Sequence, residues 1–214
     1  MSNIVAKDVD QTNSLVWFRN DLRVNDHHGL KQAIENSDSV VGFYCFNPDL
    51  FVENKLGFKK TDKFRAKFLI ETLENLKKNL KKINITLIIK IGDSAKILSE
   101  LTSEKNIKNI YLQEEWTKEE SDELLNLKNI LNDVVIHSNY DQFLFHPEDI
   151  DSQYISDVFT NFRKYCEKKV DVRSISLMSK KFGSENLINE DFKVPSLKML
   201  GFDDFELDNR SAFI

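Results

Sequence analysis

Five short, almost continuously apolar runs alternate with longer segments of helical period, and this alternation restricts the fold more than any other feature of the chain. The runs fall at residues 14–18, 40–46, 86–91, 109–113 and 133–137. Strands covered by helices on both faces carry no polar alternation and read this way. Between them, Phe64, Phe68, Leu69, Leu73, Leu76, Leu80 and Ile83 form one stripe at 3.6-residue spacing, with Thr61 or Asp62 as N-cap. A second helix starts at Asp93 or Ser94 and turns Ile97, Leu98 and Leu101 inward. A third opens on Thr117 with Glu120 three residues on, the pattern of a capping box, and has Leu124, Leu127 and Leu131 as its inner face. Strand–helix alternation predicts an α/β fold, a doubly wound five-stranded parallel sheet of Rossmann-like type with right-handed crossovers.

Composition narrows the class. The 214 residues are 41% hydrophobic and 30% charged, enough for one sizeable α/β domain plus an extension. A net charge of -5 is not the basic footprint of a nucleic-acid binder, and Lys77, Lys78, Lys81 and Lys82 read as the solvated face of a helix. Two cysteines, Cys45 and Cys166, with no secretory signal and no membrane-length apolar stretch, predict a reduced, cytoplasmic setting with no membrane contact. Residues 1–13 are polar and unpatterned and read as a flexible arm.

After residue 140 the pattern weakens to one helix, expected over residues 155–168. The remainder, 141–214, is loop-like yet holds Phe143, Phe145, Phe159, Phe162, Phe182, Phe192, Phe202, Phe205 and Phe213. Disordered linkers are poor in aromatics, so this segment is expected to pack. The apolar end at Ala212 to Ile214 reads as the end of a fragment, and exposed phenylalanines there leave self-association open.

In a doubly wound sheet, ligands bind beyond the carboxyl ends of the strands where the strand order reverses. No glycine-rich phosphate loop follows the first strand, which excludes the dinucleotide fingerprint and the P-loop. Arg19, Asp21 and Arg23 stand there instead and, from pattern alone, read as a salt-linked turn. Residues 113–116 (QEEW) end the fourth strand. A carboxylate there can accept from a ring N–H, and the indole of Trp116 can pack on a flat ligand. Pattern alone equally reads Glu114 and Glu115 as exposed loop charges near a helix N-terminus. The four histidines have no metal-ligand spacing, and no nucleophile elbow is present.

Residues 17–26 (WFRNDLRVND) resemble the opening of DNA photolyases and cryptochromes. Residues 44–51 (YCFNPDLF) resemble that family's second strand and turn. Residues 56–69 (LGFKKTDKFRAKFL), 145–149 (FHPED) and 158–164 (VFTNFRK) are similar to its cryptochrome DASH branch. The resemblance implies that residues 14–140 are an N-terminal α/β domain that helps to hold an antenna pigment, methenyltetrahydrofolate in the DASH branch. It implies that residues 141–214 are the connector to a helical domain, beyond this chain, that binds FAD and damaged single-stranded DNA. The whole protein would then be a blue-light-dependent flavoprotein lyase that splits cyclobutane pyrimidine dimers. The family's antenna-contacting glutamate matches Glu115, with Glu114 one register away and Gln113 and Trp116 as neighbours. Asp26-His27-His28 replaces the family's Asp-Asn at a helix start and reads as a neutral change. Two other readings remain: a stand-alone Rossmann-like binding or interaction module, and a small-molecule enzyme on the same architecture.

Overall fold

The structure is a computed structural model that describes residues 11–177 and 181–206. The first ten residues of the expected arm and the apolar end at Ala212 to Ile214 lie outside the described residues. Five parallel strands form one sheet in the order β3-β2-β1-β4-β5. They are β1 (Asn13–Trp17), β2 (Ser39–Phe46), β3 (Leu87–Ile91), β4 (Ile107–Gln113) and β5 (Val135–Asn139). Helices α1 (His28–Glu35), α2 (Lys63–Lys82), α3 (Ser94–Glu104) and α4 (Lys118–Ile130) make the crossovers, and α5 (Phe159–Lys169) follows the sheet. The doubly wound α/β architecture is the one the alternation predicts.

The core sits where both faces of β1, β2 and β4 are covered. Leu15, Val16, Phe43 and Ile110 have no exposure at all. β5 departs from expectation. It begins two residues later and, at the edge of the sheet, has no fully buried position. Gly42 is closely packed within β2: a Cβ there would meet Leu87 Cδ1 and Phe18 Cε2 at 3.1 Å and Leu80 Cδ1 at 3.3 Å, so a larger residue would have to displace these side chains.

Three helix expectations change. Asp62 caps α2 and Asp93 caps α3 as read, but Thr117 makes no capping bond to a backbone N–H. Its hydroxyl donates to the Glu120 carboxylate at 2.7 Å, so the expected capping box is replaced by a side-chain pair. α5 starts at Phe159 rather than 155, because Asp151 caps a 3-10 turn over Ser152–Tyr154. In α2, Ala66, Leu73, Leu76 and Leu80 are buried, whereas Phe64 and Phe68 are 60% and 69% exposed. The stripe is inward only from Leu69 onward; in the first turn Ala66 is the buried position, and Phe64 and Phe68 lie on the opposite side of the helix from it.

The connector returns to the sheet and packs. Phe182, Phe192, Leu200 and Phe202 join the core. Asn186 acts as a substitute strand residue: its amide donates to Val40 O at 3.0 Å and Asn84 O at 2.7 Å, while its carbonyl accepts from Val40 N at 3.0 Å. Phe143 and Phe159 stay exposed.

Leu80→Ala is expected to cost about 2–5 kcal/mol, and Phe68→Ala less than about 0.5 kcal/mol, in urea unfolding monitored by circular dichroism. Equal losses would contradict the outward placement of Phe68.

Candidate functional site

β1 and β4 are sheet neighbours whose following connections run to opposite sides, which makes the crevice between their carboxyl ends the switch point of the fold. Two loops meet there, one after Trp17 and one after Gln113.

The first loop is organised from beneath by a buried acid–imidazole pair. Asp21 Oδ1 accepts from Arg19 N at 2.8 Å, and Oδ2 lies 2.9 Å from His27 Nε2. Asp21 and His27 are each 2% exposed. His27 Nδ1 accepts from Leu30 N at 3.0 Å and so caps α1, which leaves the ring proton on Nε2, facing the carboxylate. The pair meets the distance of an ion contact without the alignment of a hydrogen bond. Burial pushes the Asp21 carboxyl up, but His27 and the backbone N–H groups of Arg19 and Asp21 outweigh it and hold the group below its ordinary 3.8. His27 is thus the cap of α1, and Asp26 takes a left-handed conformation at φ 49° just before it.

Arg19 and Arg23 are each engaged, but the turn is not salt-linked within itself: Asp21 faces His27, Arg19 pairs outside the turn, and Arg23 binds backbone carbonyls only. Arg19 pairs with Glu123 at 2.9 Å, donates to Glu120 O at 3.0 Å, and lies 4.9 Å over the Trp17 ring. Arg23 donates to Asp26 O at 3.0 Å and to Asp141 O at 3.2 Å, tying the loop to the chain beyond β5.

At the end of β4, Gln113 and Glu115 are buried. Glu115 Oε1 accepts from Asn20 Nδ2 and from Gln113 Nε2, both at 3.1 Å, and Oε2 accepts from Gln142 Nε2 at 3.1 Å. Glu115 is thus not an exposed loop charge. Three side-chain amides converge on it, one from the last residue of β4 and two from the loops after β1 and β5. Glu114 points the other way, toward Tyr140, whose hydroxyl is pushed above its ordinary value by desolvation and by the Glu114 charge. Trp116 is 55% exposed, with its ring 5.0 Å from Tyr140 and 5.6 Å from Phe143. Gln142 and Asn20 carried no signal of their own in the sequence. Only the fold brings them onto Glu115, from 27 and 95 residues away.

Two cavities flank these groups. One of about 570 Å³ opens over the ends of β1, β2 and β3, with Trp17, Arg19, Tyr44, Cys45, Gly92 and Glu123 in its wall. The other, about 690 Å³, lies beyond β5 and includes Arg23, His28, Glu114, Asn139, Tyr140 and Arg173. Of the four residues singled out in the sequence, Glu114 alone lines either of these cavities; Gln113 and Glu115 are buried between the two loops and Trp116 is exposed beside them. Cys45 is no nucleophile. Its thiol donates to Gly92 O at 3.3 Å, and burial together with Glu123 pushes it up to about 12. Among the described residues no group of His, Cys, Asp or Glu is arranged to hold a metal ion, and no helix is long and apolar enough to cross a membrane.

A parallel sheet of this order, with its ligand-competent crevice between β1 and β4, defines the class as Rossmann-like α/β domains. The sequence model of the DNA photolyase family matches residues 14–180, and the chain belongs to that family. It is 36% identical over 159 residues to the cryptochrome DASH of Synechocystis sp., a match that covers 72% of this chain and 32% of that protein. It is 32% identical over 208 residues to the chloroplastic/mitochondrial cryptochrome DASH of Arabidopsis thaliana, covering 94% of this chain and 37% of that one. The crystal structure of the Synechocystis sp. PCC6803 cryptochrome superposes with a TM-score of 0.84 at 32% identity, over 94% of this chain and 42% of that one. The archaeal photolyase of Sulfolobus tokodaii, solved with two FAD molecules, shares the fold at a TM-score of 0.72. The chain spans about a third of the length of the curated relatives it matches.

Two outcomes follow from this geometry. A group whose carboxyl is depressed by folding stabilises the fold above its ordinary range, and that contribution is lost as pH falls through the lowered value. Asp21→Ala is therefore expected to cost about 3–5 kcal/mol at pH 7, with the loss shrinking below the ordinary 3.8; urea titrations at pH 7 and pH 3 measure both. Cys166 is expected to react with a thiol reagent at pH 8 only after denaturation, and half-buried Cys45 only slowly in the native chain; fast labelling of Cys45 would contradict the upward push on its thiol.

Proposed function

We propose that this chain is the antenna-holding α/β part of a DASH-type cryptochrome or photolyase, and that Glu115 is the residue that grips the antenna. The observation that carries this reading is the convergence of Asn20, Gln113 and Gln142 amides on one buried carboxylate at the switch point. Amide donors keep such a group ionised and oriented without neutralising it. The amino and ring N–H groups of a pterin are donors of the same kind and would take over the contact that Gln142 makes. Gln113 Oε1, buried beside the carboxylate with no partner in the protein, offers a second acceptor. Trp116, Tyr140 and Phe143 supply an aromatic ridge next to both.

Methenyltetrahydrofolate, when bound, would supply absorption in the near-ultraviolet and blue. In the whole protein, FAD held by a helical domain beyond these residues would carry the chemistry on cyclobutane pyrimidine dimers in single-stranded DNA. This chain's own residues bind and orient; none of them is catalytic in this reading. A second reading places a flavin-type antenna in the cavity over β1, β2 and β3, favoured by Arg19 Nη1, which is buried without a partner. Against it stand Asp49, Asp93, Glu119, Glu120 and Glu123 in the same wall, which repel a phosphate-bearing ligand.

In the whole protein, Glu115→Gln is expected to lower folate retention through desalting at least about tenfold while the flavin spectrum stays at full occupancy. Glu114→Gln is expected to retain both pigments. Retention of both pigments by Glu115→Gln would remove Glu115 from the site.

A further inference from the structure

The net charge of -5 conceals a strongly basic region. Residues 55–82 hold ten lysines and arginines against three acidic residues. In the C-terminal half of α2 these cations are the solvated face expected from the sequence, apart from Lys77 on Asp191 at 2.7 Å. The N-terminal half is different, because apolar side chains stand among the cations. Leu56, Phe58, Phe64 and Phe68 are 80%, 54%, 60% and 69% exposed. Lys55, Lys63, Arg65 and Lys67 make no ion pair among the described residues.

The chain's own connector shows what chemistry this face accepts. Residues 202–206 read Phe-Asp-Asp-Phe-Glu. Lys59 Nζ lies 4.2 Å over the Phe202 ring and donates to Gly201 O at 3.2 Å. Three residues on, the Phe205 ring meets Phe64 edge-to-face at 4.8 Å, with Lys63 Nζ at 5.3 Å and Lys67 Nζ at 5.2 Å from its centre. Lys59, Lys63 and Lys67 are thus spaced four apart and read two aromatic rings set among three carboxylates. Each contact is a cation–π pair in partly desolvated surroundings. Phe68, Phe58, Leu56 and Arg65 lie outside this contact, so the face extends beyond what the connector covers.

We propose that the lysine–phenylalanine face at the start of α2 is a docking site for acidic peptide segments that carry aromatic anchors, and that residues 203–206 occupy one end of it as an internal competitor. The complementarity is of both charge and ring. A lipid surface fits less well: the Lys63 and Lys67 ammonium groups lie at the level of the rings, and inserting the rings into hydrocarbon would drag those charges out of water. A tethered segment competes at high effective concentration, so the uncovered face binds more tightly than the covered one. The inference is independent of the antenna reading, since none of these residues contacts Glu115 or lines either cavity at the sheet end other than through neighbours.

The test uses the full chain and a fluorescein-labelled peptide with the sequence of residues 201–206, followed by anisotropy. A variant carrying Asp203→Asn, Asp204→Asn, Phe205→Ala and Glu206→Gln uncovers the face and leaves the core residue Phe202 in place. It is expected to bind the peptide about tenfold more tightly than the unaltered chain, with affinity falling as salt rises. Adding Lys63→Glu and Lys67→Glu to the uncovered chain is expected to abolish binding, while thermal melting confirms that the fold persists; Phe64→Ala with Phe68→Ala supplies a second, charge-neutral variant expected to weaken it. Equal binding by covered and uncovered chains overturns the proposal, as does binding that survives the lysine reversals. Tighter capture of a twelve-residue oligothymidine or of phosphatidylserine-containing vesicles than of the peptide also overturns it, in favour of a nucleic-acid or membrane surface.

Discussion

The contact between Asp21 and His27 governs the functional end of this molecule. One carboxylate oxygen fixes the turn after β1 by holding Arg19 N; the other faces an imidazole whose second nitrogen begins α1. Strand end, loop and helix start are thereby joined through two side chains with almost no exposure. The positions of Asn20 and Arg19, which lie inside that turn, are consequences. Asn20 is delivered to Glu115, and Arg19 to Glu123 and the α4 backbone. Removing either partner would leave a buried polar group without compensation, which is costly in a low-dielectric interior.

The second constraint is the sheet order. Because β4 lies against β1, the residue two places beyond the end of β4 falls beside the loop that Asp21 shapes. β5 lies against β4 and carries the chain onward to Gln142. The three amides on Glu115 therefore come from three strand ends that a doubly wound sheet gathers at one edge; Gln113 is local, but no local sequence rule would bring Asn20 and Gln142 to it. This explains how a buried carboxylate is tolerated without a cationic partner. The donors come as a set, each held by a different strand end.

Legibility in the sequence followed the range of the interaction. The strands and the starts of α2 and α3 depend on periodicity and on neighbouring caps, so they were readable within a few residues. Glu115 and Gln113 were singled out because the β4 terminus is a defined place in such a fold and the family resemblance pointed to it. The errors have separate causes. At 100° per residue Phe64 and Phe68 fall about 110–150° round the helix from the centre of the Leu73, Leu76 and Leu80 stripe, so the helical period itself sets them apart from the core face. Thr117 and Glu120 had the spacing of a capping box, yet the hydroxyl found a carboxylate rather than an amide. The burial of His27 and its pairing with Asp21 are set by the loop's three-dimensional path.

Phe64 and Phe68 also show how a misreading becomes informative. A large aromatic turned to solvent costs apolar exposure that the hydrophobic effect would otherwise remove. On α2 that exposure coincides with unpaired lysines and with a connector segment that has aromatic rings among carboxylates. The same residues that weaken the amphipathic stripe thus give an acidic chain a strongly basic, ring-bearing surface. At the switch point, the opposite arrangement is found, with a carboxylate buried among neutral amides. The two places are therefore chemically distinct: an oriented, buried anion at the crevice, and exposed cations with rings on the helix.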